Sequence, residues 1–82
     1  MNINLLVKFN DGTDKEITGT AADIVAFEER FDLSMAQLEK HVRVTHLLFL
    51  AWHAEKRTGA SKLTFEKWVE TVDAVEAGDA KK

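Results

Sequence analysis

Three histidines, two serines (Ser34 and Ser61) and fourteen acidic residues are what this chain has to do chemistry with, and it has no cysteine. His46 and His53 are seven residues apart, two turns and about 10 Å along one helix face. A single Zn²⁺ draws its ligand nitrogens to about 2 Å, for which i, i+4 spacing serves far better. His41 is not placed to help, so the histidines read as core-edge or helix-surface side chains. Ser34 and Ser61 each sit beside an expected helix start, where capping accounts for them. There is no Gly-rich phosphate loop, nucleophile elbow or Cys/His pair. The carboxylates fall on faces expected to be exposed, and one chain of this size hardly builds a pocket deep enough to shift their pKa. The expectation is a protein that is not an enzyme and uses no cofactor and no metal. Glu66, Glu70 and Asp73, at i, i+4 and i+7, read either as a solvated helix face or as a docking strip for a basic partner. Trp52 and Trp68 read as core residues, with an interface role open to one of them.

The elements that must position these residues are few. Eighty-two residues allow one small domain, expected over residues 1–77 with a short polar tail at 78–82. Acids number 14 and bases 11, giving a net charge of −3, and this balance argues against a nucleic-acid binder held by phosphate contacts. At 45% hydrophobic and 30% charged, the chain is too apolar for disorder. Its longest apolar run, Leu47-Leu48-Phe49-Leu50-Ala51-Trp52, is far short of the roughly 20 residues of a membrane span. No basic-then-apolar leader opens the chain, so no export signal is expected. The absence of cysteine removes any disulfide scaffold and is compatible with a reducing cytoplasm. So short a chain buries only about 60% of its unfolded surface, which favours a well-filled core or an oligomeric partner.

The N-terminus reads as a β-hairpin. Ile3, Leu5, Val7 and Phe9 recur at period 2, and Asn10-Asp11-Gly12 is a turn signal. A two-residue loop would bring Asp14 and Glu16 onto the apolar face. A three-residue loop, with Gly12 left-handed at a bulge, pairs Leu5 with Ile17 and Lys8 with Asp14, and is preferred. The return strand is expected at 13–18. A two-stranded hairpin is weak alone, so its unpaired edges suggest strand addition between subunits.

Thr20 then caps a helix at 21–31, with Asp23 in capping-box position. Ala21, Ile24, Phe27 and Phe31 share its apolar face, while Asp23, Glu28 and Glu29 point elsewhere. Ser34 and Gln37 fit a second capping box, with Leu33 and Leu38 as its staple, ahead of a short helix at 35–40. Residues 44–57 read as a central buried helix, with Lys56 and Arg57 near its negative end and Gly59 as its C-cap. Whether one helix or two lie between Ser34 and Arg57 stays open. A last helix begins after Thr64, stapled by Leu63 and Trp68, with Phe65, Trp68, Val69, Val72 and Val75 on one face. The fold class is therefore α+β, a hairpin followed by three or four packed helices. Its expected core holds Leu5, Val7, Ile24, Phe27, Leu47, Leu48, Ala51, Trp52, Phe65, Trp68 and Val72, with Ile17 packing beside Ile24 and Phe27.

Three stretches in order carry a resemblance: Thr20-Ala21-Ala22-Asp23-Ile24-Val25-Ala26-Phe27-Glu28, then Leu50-Ala51-Trp52-His53-Ala54-Glu55-Lys56-Arg57-Thr58-Gly59, then Thr64-Phe65-Glu66-Lys67-Trp68-Val69-Glu70. With the leading hairpin they resemble the small tail assembly chaperones of long-tailed bacteriophages, of the type encoded by phages of actinobacteria. The resemblance extends to about Glu76. The Leu-Ala-Trp-His-Ala run followed by Arg-Thr-Gly is its most distinctive part. It implies a cofactor-free protein that coats the apolar, helical tape-measure protein in the host cytoplasm. Such a protein helps recruit tail-tube subunits, acts as an oligomer and is absent from the finished virion. Neither nucleic acid nor membrane is implied as a partner. Many such families also make a longer product by a −1 ribosomal frameshift, and Ala80-Lys81-Lys82 can be encoded by a slippery A-AAA-AAG. The runner-up is a virion structural protein, such as a head decoration or head–tail joining subunit. A small DNA-binding regulator ranks third, because its recognition helix from Thr64 would carry Glu66, Glu70 and Asp73 against phosphate.

Overall fold

A computed structural model describes residues 2–32, 34 and 43–77. Strand β1 (Ile3–Phe9) turns back into β2 (Asp14–Gly19) in the expected register, with Leu5 opposite Ile17 and Lys8 opposite Asp14. The turn closes with Phe9 N–H donating to the Thr13 carbonyl at 2.8 Å and Gly12 N–H to the Phe9 carbonyl at 3.1 Å. Gly12 has φ +91°, a conformation that glycine adopts without steric cost. The Asp11 carboxylate accepts from the Thr13 N–H and hydroxyl and ties the loop together.

Helix α1 (Ala21–Phe31) begins at the Thr20 cap and ends where Asp32 turns left-handed. Helix α2 (Val44–Thr58) runs one residue beyond its expected end and stops at Gly59, φ +84°. The Gly59 N–H donates to the last-turn carbonyls of Glu55 and Lys56, the glycine-ended termination that the sequence indicates. The short helix expected at 35–40, with its Leu33, Gln37 and Leu38 contacts, and His41 lie outside the described residues, as does the tail at 78–82.

The C-terminal part departs from expectation. Helix α3 (Phe65–Glu70) has only six residues, and strand β3 (Val72–Ala77) follows it. β3 pairs antiparallel with β1, giving a three-stranded sheet in the order β2-β1-β3. Lys8 faces Ala74 and Phe9 faces Val72, so Asp73 is an extra residue that bulges the strand. The edge of β1 that the hairpin leaves open is thus filled from within the chain and not by a second subunit. Asn10 fixes the junction: its N–H donates to the Thr71 carbonyl at 2.8 Å and its Nδ2 to the Glu70 carbonyl at 2.7 Å.

The protein is a small two-layer α+β domain. Helices α1 and α2 cover one face of the sheet, where Leu5, Val7 and Ile17 are buried beside Ile24, Phe27, Leu47, Leu50, Ala51 and Trp52. Trp68 closes this core from α3. Leu48, Phe65 and Val72, expected at its centre, are half-buried and pack on its margin. Phe49 and Ala54 are buried on α2, which is apolar around most of its circumference. Trp52 directs its indole N–H to the Leu63 carbonyl at 2.9 Å, meeting the requirement that a buried N–H find an acceptor. Leu63 itself is exposed, so it makes no buried staple with Trp68.

Candidate functional site

The densest polar constellation surrounds Asp23. Its side chain is fully buried, against the expectation that it faces away from the core. The capping box places it in the first turn of α1, where its Oδ2 accepts the Thr20 N–H at 2.8 Å. From α2, His53 and Arg57 reach it from one face at i and i+4. His53 Nδ1 lies 2.6 Å from Oδ1. Arg57 donates from Nε to Oδ1 at 3.1 Å and from Nη2 to Oδ2 at 2.9 Å. One carboxylate therefore caps α1 and binds α1 to α2.

The electrostatics follow from these contacts. Burial works to raise the Asp23 pKa, but the Arg57, His53 and Thr20 hydrogen bonds together outweigh it and hold the carboxyl below its ordinary value. Arg57 is shifted upward, first by its hydrogen bond to Asp23. With Asp23 ionised and accepting, His53 carries its proton on Nδ1 when neutral. That is the orientation a general base receives from its carboxylate partner. The same contacts saturate the carboxylate and tie α1 to α2. The arrangement serves as a lock between helices.

His46 does a different job. It is buried on the first turn of α2, edge-on to Phe27 and Phe31 at 5.2 and 5.0 Å. Desolvation, and then the charge of Arg43, lower its pKa. Among the described residues its Nδ1 has no hydrogen-bond partner. The rings continue from Phe31 through Phe49 to Phe65 and Trp52. The Arg30 guanidinium lies 5.5 Å over Phe49 and 5.9 Å over Phe65, within cation–π range.

The acidic strip does not form as expected. Glu66 and Glu70 lie exposed on α3, whereas Asp73 sits exposed in β3, so the three share no helix face. Among the described residues after Thr64 the only helix is the six-residue α3, and a strand follows it. Two adjoining open grooves run between β2 and α2. One, of about 230 Å³, is lined by β2 from Lys15 to Thr18 and by Ala54, Glu55 and Thr58 of α2. The other, of about 540 Å³, extends past Phe9 and Thr13 to Thr71. Between them Lys15 reaches the buried Glu55 carboxylate at 2.7 Å. The hydrogen-bond partners of Asp23 on α2 are 30 and 34 residues away, beyond the reach of any local pattern. The available signal was a His and an Arg at i, i+4 on the most apolar helix.

By its architecture this is a small α+β domain with a three-stranded antiparallel sheet. Compared with protein-family models, with curated proteins and with solved structures, the chain matches none.

Proposed function

We propose that the protein is a non-catalytic bacteriophage tail assembly chaperone. It binds and solubilises the tape-measure protein in the host cytoplasm and helps recruit tail-tube subunits, working as a homo-oligomer. The observation that carries this reading is the ordered occurrence of the three stretches at 20–28, 50–59 and 64–70. The first two supply Asp23, His53 and Arg57, which meet in one cluster, so the resembling residues belong to a single packed unit. A chaperone of this kind works through its surface, for which Glu66, Glu70 and Asp73 are exposed candidates.

The test is co-expression with the tape-measure protein of the phage that encodes it. Tape-measure protein that is soluble and co-purifies only when this chain is present supports the reading. It also requires that purified virions lack the chain. Stoichiometric retention in particles would overturn it in favour of a head-decoration or head–tail joining subunit. Insoluble tape-measure protein, unchanged by co-expression, would also overturn it.

A further inference from the structure

The hydrogen-bond phase of the hairpin determines which backbone groups of β2 face outward. Phe9 and Thr13 form a hydrogen-bonded pair, so alternation makes Val7–Lys15 and Leu5–Ile17 the next such pairs. The N–H and C=O groups of Asp14, Glu16 and Thr18 therefore point away from β1. Among the described residues no strand pairs with that edge. It is bordered by the groove between β2 and α2, where Lys15 and Ile17 face Ala54 and Glu55. A free strand edge beside a groove walled by a helix is the geometry in which an extended peptide adds to a sheet.

Charge decides between possible occupants. A two-fold antiparallel pairing with a second copy must match outward residues with outward residues. Centred on Glu16, it sets Glu16 opposite Glu16. Centred on Lys15, it sets Lys15 opposite Lys15 and Asp14 opposite Glu16. Like charges directly opposite are destabilising. Centred on Ile17, it hydrogen-bonds only Glu16 and Thr18. A foreign strand has no such conflict. On the solvent face Asp14 and Glu16 stand at i and i+2, Asp14 opposite Lys8 and Glu16 opposite Leu6, so Glu16 has no cation directly across the hairpin. They complement Lys or Arg at alternate positions of an incoming strand. On the other face the groove is lined by Lys15, Ile17, Ala54, Glu55 and Thr58, with Lys15 and Glu55 paired to each other, and small side chains suit the space beside Ile17 and Ala54.

We infer that β2 accepts, as a fourth strand, an extended partner segment alternating basic and small apolar residues. This stands apart from the tail-assembly reading and does not depend on it. The test titrates the full ¹⁵N-labelled chain with an acetylated, amidated Lys-Val-Lys-Val-Lys-Val-Lys peptide and with its Glu-for-Lys counterpart. The expected result is slowed exchange of the Glu16 and Thr18 amides with the basic peptide and not with the acidic one. Glu16→Lys should weaken binding about tenfold. Glu16→Pro, which removes an N–H that the β1 ladder does not use, should abolish it while near-ultraviolet circular dichroism is unchanged. If the proline variant fails to fold, the charge variant still decides. No binding at roughly millimolar peptide, equal binding of both peptides, or protection on β3 would each overturn the inference. So would protection of the same amides on concentrating the free protein, which would make a second copy the occupant.

Discussion

Replacing Asp23 with alanine tests whether one carboxylate joins α1 to α2. The substitution deletes the acceptor for the Thr20 N–H, an N-terminal capping interaction that contributes about 1 kcal/mol. It also strips His53 and Arg57 of their shared acceptor. Those two side chains are 29% and 33% exposed, so both turn to water, and the further loss is discounted to about 1–2 kcal/mol. The sum, about 2–3 kcal/mol, is a large part of the ~4–12 kcal/mol expected for a domain of this size. Thermal melting followed by circular dichroism at neutral pH should fall by about 10–20 °C. The pH dependence supplies an independent arm. The Asp23 pKa is depressed in the folded state, so its contribution is present above the unfolded value of 3.8 and is lost as pH falls through the lower folded value. Asp23→Asn should therefore be less stable at neutral pH, with the difference from wild type shrinking below pH 3.8. A melting point for Asp23→Ala within about 2 °C of wild type, or parallel acid limbs for wild type and Asp23→Asn, would refute the reasoning.

Trp52→Ala should cost about 3–5 kcal/mol in urea unfolding, through lost ring packing and an orphaned Leu63 carbonyl; a wild-type midpoint would place the indole outside the core. His46→Phe should flatten one limb of the stability profile. The folded His46 pKa lies below 6.5, so wild-type stability falls as pH drops through 6.5 and levels off below the folded value. An identical slope in the variant, measured by denaturation at a series of pH values, would count against a neutral, buried imidazole. Val75→Asp places a charge opposite the buried Val7 and should cost about 1–3 kcal/mol in chemical denaturation; an unchanged curve would mean that β3 is not docked there.

The legible parts of this fold were those governed by short-range rules. Asn10-Asp11-Gly12 and the placement of Asp14 and Glu16 decide the hairpin register, because the alternative puts carboxylates on the apolar face. Thr20, Asp23 and Gly59 mark helix ends through backbone groups a few residues away. What escaped depends on distance. Val72 and Val75 satisfy helical spacing from Phe65 as well as strand pairing, and only the open edge of β1, more than sixty residues earlier, selects the strand. Thr71-Val72, β-branched residues after a short helix, were the local hint. Asp23 is the same lesson in the candidate site. Its capping role could be read from its neighbours, but its burial depends on His53 and Arg57, brought up by the fold.

The sheet order has a consequence for biosynthesis. β1 leaves the ribosome more than sixty residues ahead of β3, yet the two are neighbours in the sheet. The hairpin, α1 and α2 can begin to associate during translation, but one side of the central strand stays unpaired until Ala77 has emerged. The closure spans 72 positions between Leu5 and Ala77, a long loop whose entropy must be overcome late. During that interval the nascent chain exposes an apolar strand edge open to wrong partners. The second side of β1 is covered only when β3 docks beside it.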